Sequence, residues 1–361
     1  MTVKIKDVAK AANVSIATVS YVLNDSAPVS DETRARVLEA IRKLNYRPNS
    51  TARNLKANET RLMGYAWHTT EPGQMNAILD RFVYQTARSA EAHGYHILTF
   101  ATAPHDPSQA FDELVRTSRV DGFILAETDN PRLLRHLLAL NFPFVAFGRA
   151  DSEWDFLYVD VDVHAGIRMA VQHLLTLGHQ RIGCIAWPST SHNGEIRLAG
   201  YMDTMRAAGI EPCAEWVVRV RNTIDDGFRA TNRLLHMPEA NRPTALVSLS
   251  DVMALGAMSC IEALGLRIGS DVAVTGFDDD PMSAYLHPAL TTLHQPIDLI
   301  ANRVIEMLVA AIAGQPIAER HVLVEPELMV RTSSDPSLPP SHPVLLSHDD
   351  PENAEEPNHT A

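Results

Sequence analysis

From Leu62 onward the chain alternates short apolar runs with amphipathic stretches, and this alternation narrows the available folds more than any other feature. Strand-like runs stand at LMGYAW (62–67), YHILTFA (95–101), DGFILA (121–126), PFVAFG (143–148), RIGCIA (181–186), WVVRVR (216–221), TALVSL (244–249) and DVAVTGF (271–277). Helical stretches separate most of them, notably 75–93, 163–177, 194–208, 226–237 and 251–264. Strands that are apolar along their whole length need cover on both faces, and intervening helices supply it. The pattern therefore predicts an α/β fold with parallel sheets. There are too many strands for one comfortable sheet, so two similar subdomains are expected. In such sheets ligands bind beyond the carboxyl ends of the strands. Residues just after a strand are therefore the ones to inspect for a site.

The first 60 residues follow a different rule. IKDVAKAANVSIATVSYVLN (5–24) reads as two short helices joined by a turn around Asn13-Val14-Ser15. Ser15 can cap the second helix through its hydroxyl. At about 100° per residue, Val19, Val22 and Leu23 share one arc of that helix. Ala17 and Tyr21 lie opposite, flanked by Ser20 and Asn24, with Ile16 at the edge in the first turn beside Thr18. An outer face this small, hydroxylated and uncharged suits a DNA major groove. A plain three-helix bundle with a solvated face is the alternative. A third helix is expected after Ser30, with Asp31 and Glu32 at its start and an apolar stripe of Val37, Leu38, Ile41 and Leu44, before Pro48 ends it. The following STARNLK (50–56) is too short to hold a helix alone in water. It reads as a linker, or as a hinge that becomes helical on DNA, with Leu55 a minor-groove wedge and Arg53 and Lys56 near phosphates.

Charge supports the division. Residues 1–60 hold ten Lys/Arg against six Asp/Glu, whereas the remainder holds 21 against 38. A basic head on an acidic body separates a phosphate-seeking module from a part that stays off DNA. With 361 residues, 45% of them hydrophobic, two or three units can each bury a core. The three cysteines are widely spaced and form no CxxC, which predicts neither disulfides nor a metal centre. No apolar leader stands at the N-terminus and no run approaches 18 apolar residues, so a cytoplasmic protein without membrane contact is expected. There is no G-x-S-x-G elbow, Walker-type phosphate loop, dinucleotide fingerprint or HExxH, so no enzyme and no cofactor is called for. Residues 335–361 combine proline and acid without periodicity. They predict a disordered tail rather than the apolar heptad helix that would join dimers into tetramers.

KDVAKAANVSIATVSYVLN, the Tyr46-Arg47-Pro48-Asn49 link and ARNLK together resemble the DNA-binding head of the lac repressor family. VQHLLTLGHQRIGCIA, RLAGY (197–201), SDVMALGAM (250–258), VAVTGFDDD and LTTLHQP resemble that family's sensor, in the family's order. The resemblance implies a helix-turn-helix head over 1–48, a hinge over 49–60 and a periplasmic-binding-protein-like sensor over 61–334. Its subdomains would span about 62–161 plus 297–323 and about 162–292 plus 324–334, crossed by the chain three times. It implies a homodimer on a pseudo-palindromic operator in double-stranded DNA, controlled by a small molecule, most often a sugar. Base contacts would fall on Ile16, Ala17 and Tyr21. Ile16 and Ala17 can meet thymine methyls but cannot make bidentate hydrogen bonds. Effector contacts would fall on Arg197 and Asp278, with Ser250, Asp251 and Gln295 beside them. Strand-end position adds Trp67, His68, Thr69 and Arg149. Asp278-Asp279-Asp280 is read as a loop or cap, with no metal. The expected function is repression of carbohydrate uptake or catabolism genes. A nucleobase, sugar phosphate or partner protein as effector, a plain sugar-binding protein and an α/β enzyme are the alternatives.

Overall fold

The computed structural model describes residues 3–24, 27–46, 59–67, 77–103, 105–126, 128–150 and 154–339. Contacts divide the chain after Arg61 into a small N-terminal unit and a large body that begins at Leu62.

The N-terminal unit consists of α1 (Ile5–Ala12), α2 (Ile16–Asn24) and α3 (Asp31–Lys43). Asn13 closes α1 in the left-handed conformation, with φ of 50°, a role its short polar side chain tolerates. The chain then enters α2, where the Ser15 hydroxyl accepts the Thr18 N–H at 3.0 Å. Ser30 does the same for Thr33 at the start of α3, at 3.4 Å. Val8, Ala9, Ala12, Val19, Val22, Val37, Ala40 and Tyr46 form the core. Leu38 departs from expectation: it is 44% exposed, and Ala40 is buried in its stead. Three short helices close on a narrow stripe, and Leu38, one position beyond Val37, falls outside it. Arg53, Leu55 and Lys56 lie outside the described residues, as does the side chain of Asn24.

In the body, β1 (Leu62–Trp67), α4 (Ala77–Ala92), β2 (His96–Ala101), α5 (Ser108–Arg116), β3 (Gly122–Leu125), α6 (Pro131–Leu140), β4 (Phe144–Phe147) and β5 (Leu157–Val161) build a first half. A second half follows with α7 (Val163–Thr176), β6 (Ile182–Ala186), α8 (His192–Ala207), β7 (Val217–Arg219), α9 (Ile224–Leu235), β8 (Ala245–Ser248), α10 (Asp251–Ala263) and β9 (Ala273–Thr275). The chain ends with β10 (Thr292–His294), α11 (Ile297–Ile312), β11 (His321–Val324) and β12 (Glu327–Met329). Among the described residues the first sheet has the order β11-β5-β4-β3-β1-β2 and the second β7-β6-β8-β9, with every neighbouring pair parallel. Parallel order without hairpins is what the helical crossovers allow.

The chain passes between the halves after Val161, around Gln295 and after Val324. α11 returns to pack on α4 and across β3–β5, while β10 and β12 pair antiparallel and pack on α7. Each expected apolar run contains a strand: β1 fills its run, and the others are shortened at one or both ends. β5, β10, β11 and β12 were not among those runs. β5 carries Asp160 next to its last residue, and the others are three or four residues long and begin or end with His294, His321 or Glu327. No helix among the described residues is long and apolar enough to cross a membrane.

Val19 is fully buried in a core of only a few side chains. A carboxylate placed there without a partner costs several kcal/mol, more than so small a core supplies. Val19→Asp should therefore unfold the N-terminal unit and abolish DNA binding, while the thermal transition of the body stays where it is in calorimetry.

Candidate functional site

A cavity of about 280 Å³ opens between the two halves of the body, lined from both sheets. Its polar groups come from the carboxyl ends of strands or just beyond them. Trp67 ends β1, Thr102 follows β2, Thr128 and Asp129 follow β3, Gly148 follows β4 and Asp160 lies in β5. From the second half come Trp187 after β6, Asn222 after β7, Asp278 after β9 and Gln295 after β10, with Ser191, Asn193 and Arg197 from the start of α8. Each C-terminal strand end leaves backbone groups to be satisfied and a loop free to carry function, so the sites of two sheets converge.

Arg197 is the centre of the second wall and is only 4% exposed. Its guanidinium lies 3.8 Å from the Phe277 ring centroid and 4.6 Å from that of Trp187. Nη1 donates to the Leu249 carbonyl, and Nε donates to Asn193 Oδ1 at 3.0 Å. Asp278 Oδ1 stands 3.8 Å from Nη1 and accepts a bond from Gln295 Nε2 at 2.8 Å. Burial draws the Arg197 pKa down and nearby Asp278 holds it up, so the group stays cationic. Burial likewise pushes the Asp278 carboxyl above the ordinary range, against the pull of Arg197. Asp278 and Asp279 both hold positive φ, 128° and 51°, which costs of order 1–3 kcal/mol each and turns their side chains apart. Asp279 binds Arg331 and His294, and Asp280 caps the turn at Met282, so the acidic run splits into three separate tasks.

The first wall differs in kind. Tyr65 is buried beside Trp67, edge to face with centroids 6.2 Å apart, and Trp67 itself is 42% exposed. Asp160 accepts the Arg149 Nε–H at 3.0 Å and the Val161 N–H at 2.8 Å. Its pKa is raised by burial and lowered by Arg149. Asp129 reaches across the cleft: it accepts from Ser191 Oγ at 3.1 Å and from the His192 N–H at 3.2 Å. A carboxylate at the N-terminus of α8 is favoured by the helix dipole, so this pair of bonds holds the cleft together.

Of the residues expected at an effector site, Trp67, Arg197, Asp278 and Gln295 line the cavity. Arg149 does not; it is turned onto Asp160 and the Val161 carbonyl. Ser250 caps α10 and binds Asn222, reaching the cavity only through it. Asp251 is 2% exposed and ties the Asp280 N–H, the Ser283 hydroxyl and the Thr292 hydroxyl together at 2.6–2.9 Å. It holds the loop that presents Asp278 and does not face the cavity. His68 and Thr69 lie outside the described residues. Asp129, Asp160, Trp187, Asn193 and Asn222 were not singled out. Asn193 stands one helical turn before Arg197, and Trp187 directly follows the RIGCIA strand, so both carried a signal; Asp160 was hidden by its apolar strand.

The model described as "Bacterial regulatory proteins, lacI family" matches residues 4–49, and that described as "Periplasmic binding protein-like domain" matches residues 171–334. The HTH-type transcriptional repressor PurR of Escherichia coli is 34% identical over 333 residues, covering 91% of this chain and 96% of that repressor. The chain belongs to the lacI family of regulators. The lac repressor dimer bound to operator and the anti-inducer ONPF has the same fold, with a TM-score of 0.79 and 29% identity over 93% of this chain and 100% of that one. A complex of the transcriptional regulator CelR with cellobiose scores 0.69, with 30% identity over 92% of this chain and 99% of that one. This lacI-family protein is a sequence-specific DNA-binding transcriptional repressor. Repressors of the family bind operators and small effectors and act as dimers, and its relatives are regulators rather than enzymes.

Arg197 and Asp251 separate in their predicted effects. Arg197→Ala leaves Asp278 buried without its cation, which costs about 3–5 kcal/mol in such pairs. The body's melting temperature should fall and the effector response should vanish. Asp251→Ala orphans three donors and should destabilise by about 3 kcal/mol or more. If an Asp251→Ala body melts like the wild type, Asp251 does not hold the Asp278 loop.

Proposed function

We propose that the repressor controls carbohydrate uptake or catabolism genes and that its effector is a neutral, hydroxyl-rich molecule of monosaccharide to disaccharide size. The observation that carries this reading is the pairing of Arg197 with Asp278 at the mouth of two parallel sheets, beneath aromatic walls. A guanidinium and a carboxylate side by side can take a vicinal diol, one donating and the other accepting. Trp67 offers a ring face for the apolar side of a sugar. The cavity volume, at the small end of ligand pockets, suits a ligand of this size.

Charge decides among the alternatives. Among the described lining residues the acids are Asp129, Asp160 and Asp278 and the cation is Arg197; Asp160 is matched by Arg149 and Asp278 by Arg197. A phosphate or carboxylate on the ligand would meet Asp129 and no unpaired cation of that lining, so a sugar phosphate is disfavoured. The similarity to PurR keeps a nucleobase as the second reading, because Trp67, Tyr65 and Phe147 could stack on a flat ring. Hydroxyls suit the carboxylates better than the few polar edges of a purine do.

On this proposal the two heads of a homodimer meet two half-sites of a pseudo-palindromic operator. The effector acts by changing the angle between the halves of the body, which the Asp129 bonds to α8 resist. The link to DNA runs through residues 49–60, and Leu55 is the proposed wedge between central base pairs.

Thermal shift of the full-length protein tests this reading with three panels: neutral sugars, purine bases and sugar phosphates. At least one neutral sugar should raise the melting temperature, and the shift should be lost in Asp278→Asn. A rise with a purine base alone, or with a phosphorylated sugar alone, sinks the proposal. Asp129→Ala should speed effector association by loosening the cleft, measured by stopped-flow quenching of the tryptophans. An unchanged association rate would remove Asp129 from the closing device.

A further inference from the structure

The donors and acceptors around the cavity are unequally committed. The carboxylate oxygens are largely taken: Asp160 by the Arg149 Nε–H and the Val161 N–H, Asp129 by the Ser191 hydroxyl and the His192 N–H, and one oxygen of Asp278 by Gln295. The wall of the second half offers the reverse. Asn193 Oδ1 accepts the Arg197 Nε–H at 3.0 Å, and a guanidinium can only donate, so this amide is fixed with its NH2 turned away from Arg197. Asn222 Oδ1 accepts the Ser250 hydroxyl at 2.6 Å. Ser250 is fully buried and its oxygen already accepts the Met253 N–H, so its own proton needs that acceptor and fixes the second amide with its NH2 outward. Both residues line the cavity, and neither NH2 has a hydrogen-bond partner among the described residues.

Trp187 supplies a third donor. It lines the same wall directly after β6, its ring centroid lies 4.6 Å from the Arg197 guanidinium, and its carbonyl accepts from Arg219 Nη1 at 3.2 Å. Gly194 makes room for it: a Cβ there would come within 2.9 Å of Trp187 Cβ. The indole N–H is closed off from solvent and has no partner, whereas the indole of Trp216 in the same half donates to the Asn241 carbonyl at 2.7 Å. Buried donors are ordinarily paired, so an orphan in the wall of a ligand cavity marks a place for an incoming acceptor. Three donors with no open acceptor among them disfavour a group that itself brings a hydrogen, because that hydrogen would be desolvated and left unbonded. In a neutral, hydroxyl-rich molecule the oxygens that accept without donating are those of an acetal, the ring oxygen and the glycosidic oxygen.

We infer that Asn193, Asn222 and Trp187 set effector specificity as a donor strip on the second half, and that the group this strip takes is the acetal of a pyranoside. The hydroxyls of the same molecule are left to Arg197 and Asp278. Ser250 acts through Asn222 and is a positioning residue. The inference rests on the reading of the effector as a neutral, hydroxyl-rich molecule and narrows it to glycosides, setting aside alditols and cyclitols, whose oxygens all carry hydrogen.

The test is calorimetric titration of the full-length protein with methyl pyranosides and disaccharides, and with alditols and cyclitols of matched size. The pyranoside bound most tightly is then compared with two analogues that keep every hydroxyl. In one, CH2 replaces the ring oxygen; in the other, CH2 replaces the glycosidic oxygen. At least one replacement should weaken binding about tenfold, and alditols and cyclitols should bind at least about tenfold more weakly than the pyranoside. Asn222→Asp keeps the oxygen that Ser250 needs and turns the outward donor into an acceptor. It should bind the pyranoside more weakly and lose discrimination against the analogues. Trp187→Phe keeps a ring over Arg197 and removes a donor that has no partner to lose in the free protein, so it should lose discrimination even if Asn222→Asp fails to fold. The inference is overturned if an alditol or cyclitol binds as tightly as any pyranoside, if neither oxygen replacement weakens binding, or if the folded variants keep full discrimination. The first of these results leaves the neutral, hydroxyl-rich reading intact. Absence of binding by every pyranoside and disaccharide together with every alditol and cyclitol, whether or not a purine base binds, overturns that reading and this inference together.

Discussion

A buried guanidinium holds the sensing half of this protein together. Removing Arg197 from water carries a penalty of several kcal/mol, which only well-placed partners offset. Here the partners come from four separate places: Asn193 on the same helix, the Leu249 carbonyl after β8, the Phe277 and Trp187 rings, and Asp278. Each of those segments is fixed relative to the others because all must meet one planar group. Asp278 is held in its strained backbone conformation by its own N–H bond to the Leu293 carbonyl and by Asp251, which pins the following loop through the Asp280 N–H. A ligand that bonds to the same pair therefore acts on a preorganised site and spends little on ordering it.

That site also sits where motion can be read. The two sheets are separate hydrogen-bonded bodies, and the chain passes between them only after Val161, around Gln295 and after Val324. Gln295 is at once a crossing residue and a partner of Asp278. Asp129 bonds directly to the opposite half at the start of α8, the helix that carries Arg197. A ligand bound to these few side chains would act on both halves at once, which is what a differential affinity for two conformations requires.

The N-terminal unit solves a different problem with fewer residues. Its core is a handful of valines and alanines around Tyr46, so its outer surfaces are free to specialise. Exposed cations stand on α1 and α3, where Arg36 and Lys43 pair with Glu32 and Glu39, and α2 carries no charge.

Much of this was legible in the residues themselves. The period of the apolar positions established two α/β halves with parallel strands. The spacing of Val19, Val22 and Leu23 oriented α2, and the family resemblance pointed to Arg197, Asp278 and Gln295. Periodicity works because it reports which face of an element is dry, a local property. What stayed hidden depended on partners distant in the chain. Asp160 could sit inside β5 because Arg149 came to meet it, which also took Arg149 out of the cavity. Ser250 and Asp251 look like ligand contacts in the sequence, yet tertiary packing turned one onto Asn222 and α10 and the other onto three buried donors. Asp129 meets α8 across a cleft that no local pattern can reveal. The sequence by itself determined which elements form and which face each one buries. Only the tertiary structure decided which polar groups bind each other and which remain to bind a ligand, because a hydrogen bond is settled by position in space and not by order along the chain.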